Sequence, residues 1–198
     1  MAGQDSRQFQ LSDYLIIFLS ILFGYAVSLF FSGWGALIKH SAYVKIYWVH
    51  LGWTILIFLD LIEVWWGLWP RREKLGKHIG YFFLALSYPI MYYLLAIIIF
   101  PDISNGQIII LKDYFYSNLT LIFSLLAFAM LFSVICNSIW VGKPVLKEFA
   151  LQAILGVVVA IGIFLRFEWY HIIIFSAAAM SWVLWVIRYR TRLKQPDN

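Results

Sequence analysis

Six uninterrupted apolar runs dominate this sequence, and they decide what it can fold into. They extend from about Leu11 to Ile38, Tyr43 to Trp69, Ile79 to Phe100, Tyr114 to Trp140, Val145 to Leu165 and Tyr170 to Ile187. Crossing the ~30 Å hydrocarbon layer of a bilayer takes about 20 helical residues, and each run is of that order. None alternates polar and apolar residues over ~10-residue stretches, as a membrane barrel does. A helix is then the spanning element that satisfies its own backbone in lipid. The expected fold is all-α: a polytopic membrane protein, a bundle of six transmembrane helices forming one domain over residues 1–198.

Composition narrows the class further. The 198 residues are 63% hydrophobic and 13% charged. A soluble domain is about half apolar and about one quarter charged. A disordered chain, a nucleic-acid-binding domain and an ordinary soluble enzyme are excluded. The runs and their short links use nearly the whole chain, leaving no block for a soluble domain. Non-helical structure is expected at Pro101 to Asp113 and in the tails, because Pro101 and the Ser104-Asn105-Gly106 cluster break the third run.

Lys and Arg set the orientation. With the N-terminus inside, six spans return the C-terminus to the same side. The inner segments then hold eleven cations: Arg7, the group Arg71, Arg72, Lys74 and Lys77, the pair Lys143 and Lys147, and the tail Arg188, Arg190, Arg192 and Lys194. The outer segments hold four, Lys39, Lys45, Lys112 and Arg166. That asymmetry predicts cytoplasmic termini. The net charge of +5 reads as topology signal and contact with anionic lipid, with no nucleic-acid partner. The first run lacks a basic leader and a small-residue cleavage site, so it reads as a mature helix.

Small residues recur where helices would pack: Gly24, Ser28 and Ser32 with Gly33 and Gly35, then Ala153, Gly156, Ala160 and Gly162, then Ser176 to Ala179 and Ser181. Close approach holds helices together where lipid removes the hydrophobic drive, so these stripes predict one bundle, within a monomer or between subunits. Trp and Tyr gather near the ends of the runs and read as interfacial belts. An aromatic cage for a cation is the sharper alternative.

Lipid tolerates few polar groups, so those inside the runs carry the functional reading. The second run contains His50, Asp60 and Glu63. A carboxylate at the bilayer centre costs about 2.5–3.5 kcal/mol and normally faces a partner or water. Asp60 and Glu63 are three residues apart, hence on one helix face. Such a pair tends to share a proton, which suits a proton or cation site. Counted at ~1.5 Å per residue, Asp60 is about 15 Å deep from Pro70 but only about 7 Å deep from the Trp65-Trp66 pair. On the second count the acids are interfacial and match Arg71, Arg72 or Lys74.

Tyr88, Pro89 and Tyr92 mark the third run. Pro89 frees the carbonyl of Ala85, and the bend either packs or opens a space beside the two tyrosines. Tyr88, Tyr92 and Asn137 are the further candidates for lining a path. His50 and His171 both fall at the outer side, where a facing pair would be a haem-ligand set; hydrogen bonding at the interface is the plainer reading. Asp13 and Glu148 read as helix-start carboxylates. Asn118-Leu119-Thr120 reads as a chance match to a glycosylation sequon. The single cysteine, Cys136, forms no internal disulfide, and there is no metal-binding cysteine cluster. No HExxH, GxSxG or Walker lysine loop occurs. No cofactor is called for, and an enzyme is not the expected class.

The stretch Gly33 to Ile38, the motif Tyr47-Trp48-Val49-His50-Leu51-Gly52-Trp53, the Trp65-Trp66 pair, Phe100-Pro101-Asp102 and Asp113-Tyr114-Phe115 resemble a pattern in small bacterial six-helix inner-membrane proteins of no known activity. The resemblance implies a bacterial inner-membrane location and carries no site residue. Together these readings give two expectations. One is a small, oligomeric channel or transporter for a cation or proton, using Asp60 and Glu63. The other is a membrane-embedded adaptor, sensor or partner subunit without transport.

Overall fold

The computed structural model describes residues 2–103, 108–142 and 150–193, with side chains described from 11 onward except at 185 and from 188 to the end. Within these the chain is all-α apart from two two-residue strands. In order it forms α1 (Ala2–Lys39), a 3-10 turn (Ser41–Tyr43), β1 (Val44–Lys45), α2 (Trp48–Leu68), a second 3-10 turn (Trp69–Arg71), α3 (Arg72–Leu75), α4 (Ile79–Ile99), β2 (Ile109–Ile110), α5 (Leu111–Val141), α6 (Ala150–Gly162) and α7 (Glu168–Leu193). Among the described residues four segments, Leu11–Lys39, Trp48–Leu75, Ile79–Ile99 and Leu111–Val141, are long and apolar enough to cross a membrane. That suggests an integral membrane protein. The helix α6 is apolar but shorter, at 13 residues.

Several boundaries differ from the sequence reading. The helix α1 begins at Ala2, so Asp13 lies in its interior and is not a helix-start carboxylate. The second helix begins only at Trp48, because Ser41–Tyr43 form a turn and Val44–Lys45 a strand. The third link is shorter than expected. Leu111 is fully buried and already helical, with Asp113 in the first turn, where a carboxylate meets the positive end of the helix dipole. Glu148 lies outside the described residues.

Local chemistry accounts for the ends. Pro70, which has no N–H to leave unsatisfied, is the second residue of the turn Trp69–Arg71 that follows α2. The His78 Nδ1 accepts from the Gly80 N–H at 2.9 Å and caps α4. Gly142 closes α5 in the left-handed conformation, φ 75°, with its N–H on the Ser138 carbonyl at 2.9 Å. The helix α4 is continuous through Pro89.

Packing uses the small residues selectively. The Phe100 ring sits on Gly33, the Phe175 ring on Gly52, and Leu131 and Met130 on Gly156. Gly24, Ser28, Ser32 and Gly35 instead lie on an exposed face of α1. Inside the bundle the Trp34 Nε1 donates to Thr54 Oγ1 at 2.9 Å, and the Trp65 Nε1 to Ser20 Oγ at 3.2 Å; both tie α2 to α1. Trp65 is thus turned inward and bonded to α1, whereas Trp66 is exposed.

The links sort to two ends. The strands β1 and β2 pair in parallel, Val44 opposite Ile109, which joins the α1–α2 link to the α4–α5 link. At the same end Lys112 Nζ and Glu168 Oε2 form an ion pair at 2.6 Å between the starts of α5 and α7. At the opposite end Lys74, in α3, donates to the carbonyl of Trp140 near the close of α5.

Candidate functional site

Asp60 is the thirteenth of 21 residues in α2. At ~1.5 Å per residue it stands about 18 Å from the Trp48 end and about 12 Å from the Leu68 end. The Tyr92 hydroxyl, from α4, donates to its Oδ2. Tyr92 is only 2% exposed and Tyr88, one turn earlier, 4%. Glu63 lies on the Asp60 side of α2, within range of its charge. The indole N–H of Trp182, in α7, approaches the Glu63 carboxylate without closing a hydrogen bond of ordinary geometry. Among the described residues, no Lys or Arg comes within ion-pair distance of either acid. Of the three partners of the interfacial reading, Arg72 donates to the Trp69 carbonyl at 3.1 Å and stacks over the Trp69 ring, Lys74 reaches Trp140, and Arg71 is partly buried in the turn after α2, forming no ion pair with either acid.

A second polar group lies beside the first. Tyr88 approaches the side chains of Ser133 and Cys136, both on α5. The Asn137 Nδ2 donates back to the Ser133 carbonyl at 2.9 Å, and Gln152, from α6, donates to Ser133 Oγ at 3.2 Å. Ser133 is therefore the point at which polar groups of α4, α5 and α6 meet. Arg71 stands within charge range of Tyr88 on the side away from Tyr92's end of the helix, and it is partly buried. Thus Asp60, Glu63, Tyr92 and Tyr88 come together, and Asn137 reaches them only through Ser133. Arg71 stands out in the sequence only as one possible match for the acids and Ser133 only as one of several residues able to bond across helices, while Gln152 and the approach of Trp182 to Glu63 leave no sequence signal. Each is an ordinary loop or helix residue until the packing of α2, α4, α5, α6 and α7 is known.

The histidines are separate from this site. The His50 Nε2 lies 2.6 Å from the carbonyl of Ile99, the last residue of α4. The Tyr114 hydroxyl donates to the carbonyls of Ile98 and Phe100 at 2.8 and 2.9 Å. The final carbonyls of a helix have no partner within it, and His50 and Tyr114 supply one. His171 is fully buried, ringed by Phe115, Tyr116, Phe123 and Tyr170, and its ring approaches the Leu165 backbone without closing a hydrogen bond of ordinary geometry. His50 and His171 both pack edge-on against Phe115, each about 6.0 Å from its centroid. Among the described residues, no three His, Cys, Asp or Glu side chains gather as a metal site. Outside the spans, the hydrogen bond from Lys112 holds the Glu168 carboxyl below its ordinary range.

Compared with protein-family models, with curated proteins and with solved structures, this chain matches none.

Proposed function

We propose that the protein is a six-span integral protein of a bacterial inner membrane, with both termini cytoplasmic, that moves a proton or cation by way of Asp60 and Glu63. The observation that carries the reading is the Asp60 carboxylate. It lies well inside α2, accepts a hydrogen bond from the buried Tyr92, neighbours a second acid, and has no ion-pair partner among the described residues. An acid kept there without a salt bridge is costly unless it has work to do. Asp60 is the deep acceptor, Glu63 its neighbour toward the basic end, and Tyr92 and Tyr88 line the approach, with Asn137 steadying Ser133 at its edge.

The grouping of loops also supports the topology. The links with Lys39, Lys45, Lys112 and Arg166 fall at one end, and those with Arg71, Arg72, Lys74 and Lys77 at the other, as alternating spans require.

The test is flux into proteoliposomes, comparing wild type with Asp60→Asn. Transport in the wild type, lost in the variant, is the expected result. Equal flux in both, or none in either, overturns the reading.

One observation favours a second reading, a membrane-embedded adaptor, sensor or partner subunit without transport, acting as a homo-oligomer or on another membrane protein. Both helices that frame the acids, α2 and α4, run unbroken past them. Transporter sites commonly use interrupted helices.

A further inference from the structure

We propose that His171 is a proton-operated latch: neutral, it seats the first turns of α7 against α5, and on taking up a proton it frees them. The inference goes beyond the transport reading and uses neither Asp60 nor Glu63. It concerns the end of the molecule that carries β1 and β2, and three features of that end support it.

The first is the box around the ring. His171 is fully buried, with Phe115, Tyr116 and Phe123 of α5 and Tyr170 of α7 placed 5.1 to 6.0 Å away between ring centroids. The walls are fixed from outside. Phe123 and Tyr170 lie against Gly162 of α6, and the Tyr170 hydroxyl donates to the Val158 carbonyl at 2.9 Å.

The second is the shortage of acceptors. The ring approaches the Leu165 backbone without closing a hydrogen bond of ordinary geometry. Among the described residues no carboxylate lies within ion-pair distance of it. The ionisable groups in the box are two phenols, Tyr116 and Tyr170, which are neutral at physiological pH. Beyond it, α5 adds Lys112 and Asp113 at its start, and the link before α7 adds Arg166, which reaches Thr120 at 3.5 Å. The α2 side adds Tyr47, whose hydroxyl is 3.5 Å from that of Tyr116, and His50, across the Phe115 ring. The described part of α6 has no ionisable side chain. A neutral imidazole fits this packing. An imidazolium brings a charge and two N–H donors, and burying a charge without a partner is costly.

The third is Glu168. It precedes His171 by three residues, hence lies on the same side of α7, and it is bonded to Lys112 of α5 at 2.6 Å. A ring that takes a proton from water and leaves the box meets Glu168 as the carboxylate one turn away, and competes with Lys112 for it. One proton thereby weakens the aromatic and the ionic contact between α5 and α7 together. Return of the proton to water restores both. Aromatic faces can also hold a cation. A box that did so would tighten α7 in acid, so the sign of the response separates the two.

The experiment uses the full chain in nanodiscs of neutral lipid. Cys136→Ala removes the native thiol, and Ser117→Cys on α5 and Ile173→Cys on α7, both exposed positions, carry nitroxide labels. Label distances are measured by pulsed electron spin resonance at about pH 8 and about pH 5, on either side of the ordinary histidine range. The expected result is one distance at the higher pH and a second, longer population at the lower, reversible on return. Adding His171→Phe should hold the single distance at both. Adding Glu168→Gln should keep the step, because the titrating ring is still present. No step, a shorter distance in acid, or a step that survives His171→Phe overturns the proposal. If His171→Phe does not elute as the folded protein on gel filtration, His171→Gln, polar but without a titrating ring, reads the same outcome.

Discussion

The Tyr92 hydroxyl donates to Oδ2 of Asp60, and so joins the middle of α4 to the middle of α2. This bond makes the site and the fold depend on one another. A carboxyl that is inside the bundle loses a donor if Tyr92 is changed, and among the described residues no other side chain closes a hydrogen bond to it. Tyr92→Phe is therefore expected to cost about 1–3 kcal/mol. Thermal unfolding in detergent measures the loss, and the same variant should show slower proton uptake in liposomes. An unchanged melting temperature would break the proposed dependence.

Glycine contacts give a sharper test of packing. A methyl group at Gly33 would collide with the Phe100 ring, and one at Gly52 with the Phe175 ring. Gly33→Ala and Gly52→Ala should each destabilise by about 1–3 kcal/mol. Gly24 and Gly35 have open space at the same point, so their alanine variants should be neutral or stabilising by up to about 1 kcal/mol. Chemical denaturation of the four variants in one detergent distinguishes the two classes.

The two buried histidines should respond in opposite directions. His50 serves the end of α4 through the Ile99 carbonyl, so His50→Phe leaves that carbonyl unpaired and should cost about 1–3 kcal/mol. His171 has no hydrogen bond of ordinary geometry to lose, its ring only approaching the Leu165 backbone. Replacing an unpaired buried polar group by an apolar ring is neutral or favourable, so His171→Phe should hold or raise the melting temperature. A large loss at His171 would mean that its ring nitrogens serve something besides packing.

The ion pair between Lys112 and Glu168 sets a pH dependence at the end that carries β1 and β2. The Glu168 carboxyl titrates below its ordinary range in the folded chain, because Lys112 stabilises its charged form. The stabilisation is thus present above the ordinary Glu range and is lost as the pH falls through the lowered value. Glu168→Gln should melt slightly below wild type at pH 7, the gap shrinking in high salt and closing in acid. Melting curves at pH 7 and pH 3 read both effects.

Ser133 receives Gln152 from α6 and lies against Asn137 on its own helix. Interhelical hydrogen bonds in membrane bundles average about 0.6 kcal/mol. A double-mutant cycle of Ser133→Ala and Gln152→Ala should return a coupling of that order. Zero coupling would remove Ser133 as the joint between α5 and α6.

The apolar runs made the helices legible in advance, because continuous hydrophobicity over about 20 residues leaves a chain few choices. Their ends were less legible. Nothing in Ala2 to Gln10 is apolar enough to announce the first turns of α1, which follow from extension of a helix already begun. The pairing of Val44–Lys45 with Ile109–Ile110 spans more than sixty residues and leaves no periodic trace. Of the site, Asp60 and Glu63 were visible because charge is conspicuous in lipid, and their spacing put them on one face. Tyr92 was visible only as a tyrosine near a proline. Which residue faces it depends on how α4 is rotated against α2, and that is set by packing. Arg71 was visible as one of three basic residues able to match the acids, but its partial burial exists only once the helices are packed.

The small parallel ladder of β1 and β2 has a mechanical consequence. It laces two loops together by main-chain bonds, and the Lys112–Glu168 clasp draws in a third element at the same rim. The other rim is fastened by Lys74 on one carbonyl of α5. Because the ladder is made of main-chain bonds, a displacement of either loop is passed straight to the other, and the two rims are coupled only along the helices between them.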